Sequence, residues 1–143
     1  MADKLHSTKT YRTVGEIKEI VRKFETCIIA PSEFSHQAHL TVALWYLSHF
    51  PFDEAAELMR DGLRRFIKQH NAAGYHETIT VFWLKLVRRF LDETAADQTL
   101  IDAANELLQK FDNSKLILQF YSHDVIHSET ARVLWVEPDR KRI

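Results

Sequence analysis

Three histidines in this chain lie where their imidazole rings can reach the interior of a folded protein. His36 and His39 are three residues apart, and side chains at that spacing share one face of a helix. His76 begins another stretch in which apolar residues recur at helical spacing. Imidazole nitrogens bind metal ions and transfer protons near neutral pH. We therefore take these three histidines as the main candidates for a functional site.

A carboxylate and three aromatic side chains complete the candidate site. Glu33 precedes His36 by three residues, which is the Glu-x-x-His spacing of iron sites in helical bundles. Three nitrogen or oxygen ligands with one open position would suit a catalytic zinc ion instead. Tyr46, Tyr75 and Trp83 are placed to form walls beside the imidazoles. The sequence thus predicts a histidine-lined pocket for a small molecule or a divalent metal such as zinc or iron, the metal ligands being His36, His39, His76 and Glu33.

The same histidines also have a purely structural interpretation, in which they hydrogen-bond to backbone or carboxylate groups at the edge of the core. A second Glu-x-x-His pair, which a di-iron centre requires, is not found, and neither is the His-Glu-x-x-His motif of zinc proteases. Glycine-rich phosphate loops are missing as well. Whether the chain is an enzyme stays open. As an enzyme it would use a histidine as metal ligand or general base on a small molecule.

Helices are the elements that must position these residues. The chain of 143 residues contains three glycines and three prolines, and so few helix breakers favour long helices. Apolar residues recur at helical spacing in five segments. The segments are expected to begin after Thr13 in a capping box with Glu16, after Ser32 or Ser35, after Asp53, at Tyr75 and after Asp97. Two shorter helices are expected from Ser114 and from Ser128.

The second helix is predicted to be the centre of the fold. From Leu40 to Leu47 every residue except Thr41 is apolar, so neighbours must cover this helix on most sides. Pro51 ends it, and the short connection to the third helix enforces an antiparallel hairpin. We expect an all-α, compact single-domain bundle of about five main helices over residues 1–143. Residues 1–12 are expected to form an irregular leader and residues 136–143 a basic tail.

The hairpin of the second and third helices resembles one tetratricopeptide repeat. With His39 at the usual tryptophan position, the small, aromatic, small, bulky and second small positions are occupied by Ala43, Tyr46, Ala55, Met59 and Gly62. The resemblance covers one hairpin, and the stretch after it lacks the matching small residues. It implies an alternative function, a non-catalytic protein-interaction module that uses the hairpin groove and basic side chains such as Arg60 and Arg64.

Composition limits the classes of partner. The formal net charge is −1 and the pI is about 6.7, so the chain has no general attraction for nucleic acid or an acidic membrane surface. Cys27 is the only cysteine, which excludes an intramolecular disulfide. No apolar run approaches the ~18–20 residues of a membrane span. We expect a soluble, cytoplasmic protein whose partner is a small molecule or another protein.

Overall fold

The computed structural model describes residues 10–72 and 74–143, which form an all-α bundle, as the helical patterns predict. The described residues contain no β-strand, and none of their helices has the length and hydropathy needed to cross a membrane. The main helices are α1 (Val14–Glu25), α2 (His36–His49), α3 (Phe52–His70), α4 (Glu77–Glu93) and α5 (Leu100–Lys110). A 3-10 helix (Ser114–Gln119) and two short helices, α6 (His123–Ile126) and α7 (Glu129–Val133), follow.

Two predicted helix starts are confirmed by their hydrogen bonds. The Thr13 hydroxyl accepts a bond from the Glu16 backbone N–H at 3.3 Å, and the Glu16 carboxylate accepts one from the Thr13 N–H at 3.0 Å. This reciprocal capping box opens α1. Ser35 opens α2, because its hydroxyl accepts a bond from the Ala38 N–H at 3.2 Å.

Three other predicted starts were each wrong by two residues. α3 begins at Phe52, and Asp53 lies in its first turn, where a carboxylate still favours the positive end of the helix dipole. α5 is capped by Thr99 rather than Asp97, since the Thr99 hydroxyl accepts a bond from the Asp102 N–H. α4 begins after His76, whose imidazole ring caps the helix by accepting a bond from the Ile79 N–H.

The central position of α2 is confirmed. Its residues are buried almost without interruption from Ala38 to Leu47, and it packs against α1, α3, α4 and α5. Thr41, a polar residue in this run, is fully buried and bonds to the Gln37 carbonyl at 2.9 Å and the Tyr11 hydroxyl at 2.8 Å. Burial of this hydroxyl is therefore compensated by hydrogen bonds.

Helices α2 and α4 run in the same direction. Near the start of α2 the His36 ring lies edge-on to Trp83, with ring centres 4.6 Å apart. Near the end of α2 the Leu47 carbonyl accepts a bond from Arg88 Nη1 at 3.2 Å. Because both contacts advance along both helices, the two helices begin in the same half of the bundle.

An aromatic cluster joins α1, α2 and α3; we define it as Phe24, Phe34, His39 and Phe66. The Phe34 ring lies 5.2 Å from Phe24, 5.6 Å from His39 and 4.9 Å from Phe66 between centres. Gly62 allows this close packing, since a Cβ atom at that position would overlap the Phe24 ring. The absence of a side chain on α3 thus makes room for a large one on α1.

Both ends of the described chain are held by the bundle. Residues 10–12 of the predicted irregular leader have no regular secondary structure, but Tyr11 is only 2% exposed and its N–H donates to Asn105 Oδ1 at 2.7 Å. Residues 1–9 of that leader lie outside the described residues. In the basic tail the Asp139 carboxylate accepts a bond from the Ser122 N–H at 2.8 Å, and the Arg140 N–H donates to the Phe120 carbonyl at 2.9 Å. The tail is basic in composition and packed in place.

Candidate ligand pocket

The first candidate, His36, bridges α2 to the end of α5. Its Nε2 atom donates to the Phe111 carbonyl at 2.9 Å, while its ring packs against Trp83. Burial lowers the pKa of His36, and the Phe111 carbonyl and the Asp112 carboxylate offset part of that effect. His36 is therefore a neutral donor between two helices at neutral pH, and Trp83 is its packing partner.

The second candidate, His39, belongs to the aromatic cluster. Its Nε2 atom is buried and has no hydrogen-bond partner among residues 10–72 and 74–143. Burial, together with the nearby His36, lowers the pKa of His39 to about 4. The ring is thus neutral at neutral pH and packs as an aromatic group.

The third candidate, His76, holds the start of α4. Its Nδ1 atom accepts a bond from the Ile79 N–H at 3.1 Å, and its Nε2 atom donates to the Ile126 carbonyl at 2.8 Å. These two bonds fix one neutral tautomer and use both ring nitrogens. His76 therefore links α4 to the end of α6.

The other predicted site residues also have structural partners. The Glu33 carboxylate accepts a bond from the Ala30 N–H at 3.0 Å and pairs with Lys23 at 3.1 Å, and the backbone bond lowers its pKa. The Tyr46 hydroxyl donates to Glu25 at 2.9 Å, and the Tyr75 hydroxyl donates to a different carboxylate, that of Glu77, at 2.7 Å. Burial raises the pKa of Tyr75 to about 12.

The predicted ligands are not gathered into a metal site. His36 faces α5, His39 lies in the aromatic cluster, His76 contacts α6, and Glu33 closes the turn before α2. In the described part of the chain no group of three or more histidine, cysteine, aspartate or glutamate side chains is placed to hold a metal ion.

The basic side chains predicted to border an interaction groove already have partners inside the protein. Arg60 Nη2 pairs with Glu77 at 2.8 Å, and Arg60 Nη1 pairs with Glu57 at 2.9 Å. The Arg64 guanidinium lies 4.6 Å from the centre of the Tyr75 ring. These contacts join α3 to the start of α4, and Glu77 is mostly shielded from solvent there.

A cavity of about 380 Å³ opens beside His76, and we call it the His76 pocket. It lies where the start of α4 meets the 3-10 helix, α6 and α7. Its apolar walls are Ile79, Ile117, Leu118 and Ile126. Ile117 and Ile126 are also core residues, only 7% and 3% exposed, so the pocket is continuous with the hydrophobic core.

The edge of the His76 pocket is basic. Lys115 comes from the 3-10 helix, His127 follows α6, and Arg132 comes from α7. All three side chains are exposed, and among the described residues no aspartate or glutamate belongs to the lining. The His127 Nδ1 atom donates to the His123 carbonyl at 2.9 Å. Two fixed positive charges thus stand at the mouth of an apolar cavity in a chain whose net charge is −1.

Of the predicted site residues, His76 is the one that lines this pocket. The sequence pattern did not identify the remaining wall, because it comes from short helices after residue 112 that lack a long apolar stripe. The predicted cap at Ser128 is confirmed, since its hydroxyl accepts a backbone bond. Asn113 rather than Ser114 caps the 3-10 helix, and Ser122 caps α6. The caps locate the helices without indicating which face of α4 they cover.

Comparisons with known protein families, with curated proteins and with solved structures found no match for this chain. The resemblance of the α2–α3 hairpin to a tetratricopeptide repeat therefore stays a prediction. Function has to be inferred from the chain's own residues.

Proposed function

We propose that this protein binds a small, largely apolar molecule in the His76 pocket. The observation that supports the proposal is a cavity of about 380 Å³ with four apolar walls beside a histidine of fixed orientation. Small-molecule sites have volumes of roughly 300–1,000 Å³ and combine apolar walls with a few placed polar groups. The His76 pocket has both properties.

The volume is large enough for a ligand bigger than a single ring. An apolar cavity of ~150 Å³ engineered into another protein is known to hold benzene. The His76 pocket, at about 380 Å³, offers more than twice that volume. A chain or ring system of eight or so carbon atoms is a reasonable first probe on this scale.

In this proposal His76 positions the pocket and does not carry out chemistry. Its two nitrogens are committed to Ile79 and Ile126, so the ring ties one wall of the pocket to another. A general base or a metal ligand needs a nitrogen lone pair that is open to its target. The proposal is therefore one of binding, and it includes neither a metal nor a reaction.

The interaction module is the weaker alternative. Its basic residues Arg60 and Arg64 are engaged with Glu77, Glu57 and the Tyr75 ring. Reversing the charge of Arg60 would break the link between α3 and α4 whether or not a protein partner exists. That substitution consequently does not separate the two functions, and a probe of the pocket does.

The test uses 1-octanol as the probe and ligand-observed NMR as the measurement. Leu118→Trp should fill the pocket from its wall, because Leu118 is half-buried there. Leu116→Trp is the matched control, since Leu116 is half-buried on the same 3-10 helix but is not part of the lining. We expect octanol to bind the wild type and the control, and to lose binding to Leu118→Trp.

Far-UV circular dichroism should show that both variants keep their helical content. Octanol that binds Leu118→Trp as well as the wild type would contradict the proposal. So would a wild-type protein that binds neither octanol nor any other probe with an eight-carbon chain.

A further inference from the structure

We infer that the ligand of the His76 pocket is an amphipathic organic acid, whose carboxylate pairs with Lys115 and Arg132 while its apolar part lies against the isoleucine walls. This inference rests on the proposed function, because it assigns a chemical class to the molecule bound in the same pocket. It goes further by assigning a role to the two cationic side chains at the mouth.

The positive charges at the mouth of the pocket come from Lys115 and Arg132. Within the described residues Lys115 and Arg132 form no ion pair with a carboxylate. Arg132 has one polar contact in that part of the chain, a long bond of 3.4 Å from Nη1 to the Gly74 carbonyl. Most of its donor groups therefore remain open to a ligand.

Four of the nine arginines outside the pocket differ from Arg132 in being paired with a carboxylate. A carboxylate lies within 3.4 Å of the guanidinium of each of four arginines outside the pocket, namely Arg22, Arg60, Arg88 and Arg89. The chain has 20 acidic residues, so carboxylates are not scarce. Carboxylates are absent from the described lining of the His76 pocket, which leaves a local positive potential that favours an anion.

The arrangement of the pocket also favours an anion with an apolar body over a small inorganic ion. Lys115 and Arg132 come from two different helices, and the apolar residues Ile79 and Leu118 line the same pocket. A guanidinium offers paired N–H donors that match the two oxygens of a carboxylate. A molecule with one carboxylate and a hydrocarbon body satisfies both the mouth and the walls.

The test compares three probes with the same hydrocarbon chain, octanoate, 1-octanol and octylammonium, by isothermal titration of the full chain. Octanoate should bind about tenfold more tightly than octanol or better, because a charge-assisted hydrogen bond contributes more than a neutral one. Octylammonium should bind most weakly, since it would meet two positive charges.

A double variant tests which residues cause the preference. Lys115→Gln with Arg132→Gln should bind octanoate and octanol equally. The matched control, Lys18→Gln with Lys68→Gln, removes two positive charges from exposed positions on α1 and α3 that do not line the pocket. The control should keep the wild-type preference for octanoate.

The possible outcomes distinguish failure of the inferred ligand class from failure of the proposed binding function. Octanol that binds the wild type as tightly as octanoate would overturn the inference and leave the proposed function standing. A preference for octanoate that persists in the pocket double variant would also overturn it, since other residues would then carry the recognition. Failure of both octanol and octanoate to bind the wild type would reject the function and the inference together.

Discussion

The aromatic cluster and the His76 pocket place a histidine among apolar side chains with opposite results. In the cluster, rings from α1, α2 and α3 fill the available space, and the His39 Nε2 atom has no hydrogen-bond partner in the described chain. In the pocket, both nitrogens of His76 are bonded and a cavity remains beside the ring. A histidine on an apolar helix face can thus pack as an aromatic ring, as His39 does, or hold two segments by hydrogen bonds beside a cavity, as His76 does.

Helix length accounts for the difference. The cluster is enclosed by three helices of 12, 14 and 19 residues, which present continuous surfaces to one another. The pocket is enclosed by a six-residue 3-10 helix and by α6 and α7, which have four and five residues. Such short helices do not cover the start of α4 completely, and the cavity is the space left between them.

Acid should destabilise the protein through the buried ring of His39. The unfolded chain binds a proton near pH 6.5, whereas folding lowers the pKa of His39 to about 4. Stability is therefore highest above pH 6.5 and is lost as the pH falls towards 4, by about 3 kcal/mol in the free energy of unfolding. Urea unfolding at a series of pH values measures this loss.

The His39→Leu variant should lose much less stability over the same range of pH, because its side chain does not titrate. His123→Leu is the control in the other half of the molecule, where the wild-type histidine is exposed. The control should follow the wild-type pH dependence. Equal acid sensitivity in the wild type and in His39→Leu would show that the buried ring is not the cause.

Two glycine substitutions should distinguish the tightly packed aromatic cluster from the His76 pocket. Gly62→Ala places a methyl group into the Phe24 ring and should cost about 1–3 kcal/mol in unfolding free energy. At Gly74→Ala the nearest atom is the end of the flexible Arg132 side chain, 3.3 Å away, so the cost should stay within about 0.5 kcal/mol. Urea denaturation measures both. Similar losses at the two positions would contradict the contrast in packing.

Substitutions of His76 should show how much each of its two hydrogen bonds contributes to the free energy of unfolding. His76→Ala removes the α4 cap and the bond to the Ile126 carbonyl, and should cost about 1–2 kcal/mol. His76→Asn can restore the cap, because asparagine is a favoured capping residue, but it cannot reach Ile126 as the longer ring does. It should recover part of the loss in thermal or urea unfolding. Full recovery would mean that the link to α6 contributes nothing.

The smallest effect on stability is expected for a substitution at Cys27, just after the end of α1. Cys27 has a backbone φ of 60°, in the left-handed region that glycine tolerates best. The Ile28 N–H bonds back to the Lys23 carbonyl at 3.0 Å, which is the helix-ending pattern that usually carries glycine. Cys27→Gly should therefore raise the free energy of unfolding by about 1 kcal/mol.

Cys27→Ala is the control for this gain, because it removes the thiol and keeps the strained backbone. It should give no comparable stabilisation in the same urea experiment. If alanine stabilises as much as glycine does, the thiol rather than the backbone conformation is unfavourable at this position.

Local features of the fold could be predicted from the sequence. The capping box at Thr13 and the central position of α2 follow from residue types within a few positions of one another, and the cap of α2 is one of the two predicted candidates, Ser32 and Ser35. Caps were misplaced where several candidates lie close together, as with Asp97 and Thr99. Each such residue can accept the same backbone bond, and only the geometry of the turn selects one.

The partners of the histidines could not be predicted in the same way. His36 bonds to a carbonyl 75 residues away, and His76 bonds to one 50 residues away. Both partners are backbone atoms, which carry no signature in the sequence. The short helices after residue 112 supply three of the four apolar pocket walls, and their position over α4 depends on packing across the whole chain.

The most direct test of the pocket is methyl NMR of the isoleucines during titration with octanoate. The methyl signals of Ile79, Ile117 and Ile126 should shift and reach saturation, because these residues form the pocket walls. Those of Ile17 and Ile29, buried on the α1 side, should not move. Shifts confined to the α1 side, or no saturable shift at any isoleucine, would contradict the account.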